Sequence, residues 1–144
     1  MTTHCPLCQQ DGGTVLWRNN KLRIILAEDA DYPGLCRVIW NEHCAEMTDL
    51  PPDDRQYLMS VVLSVEQALR DLLQPDKINL ASLGNMVPHL HWHVIPRFRD
   101  DRHFPNAIWG EPVRKTGTRS TRLDVDLLVR VLTGRLNKTG ATAN

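Results

Sequence analysis

The chain has 144 residues, 42% of them hydrophobic, with 17 Lys+Arg against 17 Asp+Glu, which fits one compact domain of ordinary composition and excludes intrinsic disorder. Zero net charge argues against a general nucleic-acid binder, and no apolar run approaches the roughly 20 residues of a membrane-spanning helix. The opening Met1-Thr2-Thr3-His4 lacks the basic and apolar regions of a secretory signal, so a cytoplasmic location is expected.

Cys5-Pro6-Leu7-Cys8 comes first along the chain. Two thiolates two residues apart can share a zinc ion, but a tetrahedral site needs about four ligands and no second Cys-x-x-Cys supplies them. Histidines would have to complete it; the alternative is a pair of reduced thiols. Leu16-Trp17-Arg18 and Leu22-Arg23-Ile24-Ile25-Leu26 are β-prone runs separated by Asn19-Asn20, a pairing that predicts a hairpin. Beyond Glu28-Asp29-Ala30-Asp31 and the breaker Tyr32-Pro33-Gly34, Cys36 to Trp40 reads as a third strand. Pro51-Pro52-Asp53-Asp54 suits a first helical turn, and apolar residues then recur at Leu58, Val61, Val62, Val65, Leu69, Leu72 and Leu73, predicting one long amphipathic helix ended by Pro75.

Residues 77–83 read as a strand, 84–88 as a loop and 89–95 as the next strand, closed by Pro96. Residues 97–112 lack periodicity and read as loop. Residues 123–136 resemble a short helix, with Thr121 and Asp124 spaced as a capping box. From Val113 onward there are seven basic and two acidic residues, which suggests a solvated terminus. The expected organisation is a domain over 1–112 and a C-terminal tail with a short helix over 113–144. Mostly antiparallel strands with one inserted helix and one terminal helix make an α+β protein rather than an alternating parallel one.

The sharpest feature is His89-Leu90-His91-Trp92-His93-Val94-Ile95. Side chains alternate along a strand, so the three histidines are expected on one face at roughly 7 Å intervals, with Leu90, Trp92 and Val94 on the other. Two chemistries fit that pattern: a three-histidine metal site that activates water, or a nucleophilic site in which imidazoles attack, orient and donate protons.

This run matches His-φ-His-φ-His-φ-φ, with φ apolar, and the sequence resembles the histidine triad (HIT) superfamily of nucleotide hydrolases and transferases. Asn79, Gly84 and Asn85 before the triad, Pro33 and His43 around the third strand, and the long helix stand where that family places them. The resemblance implies a HIT-like α+β fold with a five-stranded, mostly antiparallel sheet, joined to a second copy as a homodimer. It also implies hydrolysis or transfer at the α-phosphate of a purine nucleotide, either a dinucleoside polyphosphate or a nucleoside phosphoramidate, through a nucleotidyl-histidine intermediate. His91 takes the place of the attacking residue, and a neutral imidazole suits that role near pH 7. His93 would contact the phosphate or leaving oxygen and help protonate it; His89 and His43 would orient the site or bind metal.

On the same basis Asn79, Gly84 and Asn85 are candidate nucleotide-binding residues, and Glu28 and Asp29 compete for the ribose hydroxyls, the alternative being a solvated turn. The sequence departs from the family at Asn85, where many members have glutamine, and at Met86, where many have a hydroxyl residue. Cys5, Cys8, His43 and His89 are similar to the zinc-binding set of several bacterial members, which implies a structural zinc that leaves His91 free; no organic cofactor is implied. A nucleotide-binding regulatory module with incidental hydrolysis is the alternative function. Arg97, Arg99 and Arg102 could attract polyphosphate or simply be exposed charge. Trp109 is expected in the core or an interface, with covering of the nucleotide site as the other reading.

Overall fold

The computed structural model describes residues 4–117 and 122–138. Strands β1 (Thr14–Arg18), β2 (Leu22–Leu26), β3 (Cys36–Trp40), β4 (Lys77–Ala81) and β5 (His91–Arg97) form one antiparallel sheet in the order β1-β2-β3-β5-β4. Helices α1 (Pro6–Gln9), α2 (Pro52–Leu73) and α3 (Val125–Lys138) complete the described architecture. This is the expected α+β arrangement. The hairpin turns at Asn19, whose side-chain oxygen accepts from the amides of Lys21 and Leu22.

Helix α2 buries Leu58, Val61, Val62, Val65, Ala68, Leu69 and Leu73, nearly the stripe that the spacing predicts; Leu72 falls at its margin. Its end comes at Gln74, in the left-handed conformation with φ 49° and just before Pro75. The stripe packs on one sheet face, against Leu22, Ile24, Cys36, Val38, Trp40 and Val94. No helix among the described residues is long and apolar enough to cross a membrane.

Three expectations are corrected. The fourth strand stops at Ala81 rather than running to residue 83; just past that point the Ser82 hydroxyl donates to the His91 carbonyl. The histidine strand is displaced, covering His91–Arg97 rather than 89–95. Pro96 does not close it but sits in register with Ile78 of β4. Since β3 begins at Cys36, opposite Val94, a proline two residues beyond Val94 deprives that side of no ladder bond.

Within the expected tail, the described helix α3 packs into the domain rather than lying in solvent. Leu128, Leu132 and Leu136 of α3 are fully buried in the same core as α2. The helix starts later than expected, and Asp124 itself caps it, its carboxylate accepting the amide of Leu127. Thr121, the other half of the expected capping box, lies outside the described residues.

Candidate active site and metal cluster

Cross-strand register decides which side chains share the sheet face away from the helices, because residues directly opposite in antiparallel strands point the same way. Arg37 stands opposite His93 and Ile39 opposite His91 on β3; Ala81 stands opposite His93 and Asn79 opposite Ile95 on β4. The rings of His91 and His93 are 5.0 Å apart, edge to face. His91 Nδ1 lies 2.5 Å from the His89 carbonyl. A carbonyl only accepts, so Nδ1 carries the proton and Nε2 keeps its lone pair. Burial lowers the pKa of His91 and the charge on Arg37 lowers it further, against the opposing His89 carbonyl. Neutral imidazole is therefore the resting form at pH 7.

Burial, then the neighbouring His91 and Arg37, push His93 down to about 4. Its Nδ1 is buried without a hydrogen-bond partner. In the unfolded chain a histidine takes its proton near pH 6.5. Between about pH 6.5 and pH 4 the unfolded state thus binds more protons than the folded one, and stability falls as the pH drops through that window. We predict a loss on the order of 3 kcal/mol from this residue. Thermal unfolding of His93→Gln across that range is expected to show a shallower decline than wild type; parallel curves would refute the assignment.

His89 parts from the other two histidines. It precedes β5, its Nε2 lies 2.6 Å from the Trp40 carbonyl, and its Nδ1 faces the N-terminal cysteines. The three histidines therefore do not line one strand face as the spacing suggests. Cys5 Sγ is 3.3 Å from His89 Nδ1, and Cys8 Sγ is 3.3 Å from His43 Nδ1 and 3.5 Å from His89 Nδ1. The two Nδ1 atoms are 3.2 Å apart. Tetrahedral zinc, with bonds of about 2.3 Å to sulfur and about 2.0 Å to nitrogen, would space sulfur and nitrogen about 3.5 Å apart and two nitrogens about 3.3 Å apart. These four separations suit one tetrahedral ion, and all four donor atoms lie within 4.8 Å of one another. The Nε2–H of His89, anchored on Trp40, fixes the tautomer that leaves Nδ1 as the ligand atom. Among the described residues this is the one such cluster of three or more donors, so the three-histidine metal reading lacks its geometry.

Arg23 holds the cysteine segment in place, a role invisible to spacing. Its guanidinium, 6% exposed, donates to the carbonyls of Leu7, Gln10 and Asp11 and to the Asn41 side chain. Arg97 is likewise spent internally. At 2% exposure it pairs with Asp101 and donates to Asn79 Oδ1 and the Asn106 carbonyl, which corrects its reading as exposed charge or a polyphosphate lure. Asn79 thus faces the histidine side but holds Arg97. Asp101 also accepts from the amides of Phe98, His103 and Phe104, bracing a loop that carries Trp109. That indole is half exposed and edge to face with His93, 4.9 Å between centroids.

The remaining candidates separate. Gly84, with φ +74°, lines a depression of about 280 Å³ with Ser82, Leu83 and His91. Asn85 is exposed, and Met86 is 94% exposed. Asp29 accepts the Asp31 amide through its carboxylate, a turn role. Glu28 instead lines a depression with Gly12, Gly13, Thr14, Ala27 and Arg37.

Comparison with known proteins bears on the family and the fold. AP-4-A phosphorylase of Mycobacterium tuberculosis is 25% identical over 126 residues, covering 83% of this chain; the chain spans only 65% of that relative's length. The histidine triad protein blr8122 of Bradyrhizobium japonicum superimposes with a TM-score of 0.69 at 26% identity, over 87% of this chain and 91% of that one. A Zn-bound histidine triad family protein from Mycobacterium smegmatis shares the fold with a TM-score of 0.59 at 22% identity, over 95% of this chain and 96% of its own. Residues 9–100 match the HIT domain, and on that match together with the triad strand and its sheet the chain belongs to the HIT domain family.

Proposed function

We propose that this chain cleaves a purine nucleotide at its α-phosphate through a nucleotidyl-histidine intermediate on His91. The observation that carries the reading is the His91 Nδ1 contact with the His89 carbonyl, which frees Nε2 beside a neutral His93. In the first step the Nε2 lone pair attacks phosphorus and the bond to the leaving atom breaks; the proton that atom needs comes from solvent, passed on by His93, which ends the step neutral as it began. In the second, a water oxygen attacks phosphorus and the P–N bond breaks. Nucleoside monophosphate departs and His91 returns to its neutral state. The name of the AP-4-A phosphorylase relative favours a dinucleoside polyphosphate over a phosphoramidate. Glu28 is the better placed of the two carboxylates for the ribose hydroxyls, since Asp29 is engaged in its turn.

We assign zinc to Cys5, Cys8, His43 and His89, on the match of donor spacing to tetrahedral geometry and on the borderline-soft donor set. With all four positions filled by protein, the ion would act as a cross-link and not as a Lewis acid at the phosphate. A second reading, a nucleotide-binding module with incidental hydrolysis, is favoured by Met86, which is solvent-exposed and cannot donate a hydrogen bond.

Intact-protein mass spectrometry after brief mixing with diadenosine polyphosphate, and separately with adenosine phosphoramidate, tests both. An acid-labile adenylate adduct is expected, formed faster from the preferred substrate. Tight nucleotide binding with neither adduct nor turnover would overturn catalysis in favour of the binding module.

A further inference from the structure

Arginine is the odd residue on the catalytic face of β3. Arg37 lies directly between Ile25 of β2 and His93 of β5, where the neighbouring in-facing position of the same strand is Ile39, opposite His91. Two other arginines turned into this protein are well supplied with acceptors, and Arg102, whose Nε is also buried without a partner, still has an ion pair with Asp31. Arg23 has four acceptors and Arg97 has Asp101, Asn79 and Asn106. Arg37 has no ion pair among the described residues, and its Nε is buried with no hydrogen-bond partner.

A guanidinium stays charged at any pH the protein meets, and Arg37 is half-buried, so leaving its buried Nε without an acceptor is unfavourable until a ligand supplies one. Burial depresses its pKa, and the charge of Asp29 in the turn after β2 opposes this. A cation with spare donors, directly opposite His93 on the sheet face that also carries His91, is complementary to an anion. The charged groups facing Arg37 from the adjoining turn are Glu28, which lines the same depression, and Asp29. These carboxylates lie on the far side of Arg37 from His93, beyond the end of β2. A ligand with hydroxyls at one end and an anionic group at the other suits that order.

We propose that Arg37 binds the anionic oxygens of the phosphate attacked by His91, holding the nucleotide with its ribose toward Glu28 and its phosphate toward the histidine pair. The inference rests on the nucleotidyl-transfer reading above and names the residue that orients that substrate. Charge spreads over the non-bridging oxygens during in-line displacement, and a fixed guanidinium beside them stabilises that state without reorganising. It would also offset what the β4–β5 loop lacks, since Met86 offers no donor there.

Calorimetric titration of the full chain with AMP and with adenosine tests the proposal in wild type, Arg37→Met and Arg37→Lys. Arg37→Met is expected to weaken AMP binding about 10- to 100-fold, the range for a lost charge-assisted hydrogen bond, and to change adenosine binding less than about twofold. Arg37→Lys keeps the charge without the fork and is expected to fall between. An equal loss for both ligands would place the contact on the nucleoside, and no loss for either would make Arg37 structural; each overturns the inference while nucleotide binding itself stands. Wild-type protein that binds neither ligand would overturn the nucleotide reading and this inference with it.

Discussion

His91→Ala is expected to lower turnover on the preferred nucleotide by a factor on the order of 10⁴ or more, with the adenylate adduct abolished. The imidazole is the one group on this face with a lone pair already presented by a fixed tautomer, and His93 cannot replace it, because its ring is turned edge to face from His91 and stands against Trp109. Binding is expected to survive, since the phosphate and ribose contacts proposed above come from other residues. Single-turnover kinetics with the mass measurement in parallel check the result. Activity within tenfold of wild type would place the nucleophile elsewhere.

Removing the cysteine half of the metal cluster is expected to have the next largest effect. A metal held at a free concentration 1,000-fold above its Kd stabilises the folded state by about 4 kcal/mol, which for a domain of this size is roughly 10–15 °C in Tm. Cys5→Ser with Cys8→Ser is expected to lose about that much, and dialysis of wild type against a chelator to reproduce it. Turnover is expected to fall as well. The carbonyl that orients His91 belongs to His89, itself one of the four donors, so loosening His89 loosens the nucleophile two residues on. Cys44→Ser, outside the cluster, serves as the control. Elemental analysis gives the direct check: one zinc per chain in wild type and none in the double variant. An unchanged Tm would remove the structural role.

Periodicity carried what periodicity can. Helix α2 was readable because seven apolar positions recur at helical spacing, and the sheet face of His91 and His93 followed from alternation. The position of His89 did not, since its alternation with His91 is broken where the strand actually begins and a Trp40 carbonyl and two cysteines claim the ring. Pro96 misled as a stop because a proline's effect depends on which neighbour it faces, and that is a property of the sheet. The three arginines show the same limit from another side. Arg23, Arg37 and Arg97 are alike in the sequence, yet one clamps the cysteine segment, one is unsatisfied beside the histidines and one braces the loop that carries Trp109. What distinguishes them is the set of carbonyls and carboxylates around each, contributed by segments up to dozens of residues away.

The cluster also has a practical bearing on where this protein can be cut. The stretch that matches the family begins at residue 9, after both cysteines, and ends before the helix that buries Leu128, Leu132 and Leu136. A fragment trimmed to that homology would keep every histidine of the triad strand while discarding two of the four proposed metal donors, the carbonyl of Leu7 that Arg23 grips, and one wall of the core. Arg23 would be left a partly stranded buried cation and His89 an untethered ring. In this chain the stretch of recognisable ancestry and the stretch that packs into one core are different, and the strand that carries His91 and His93 packs within the second.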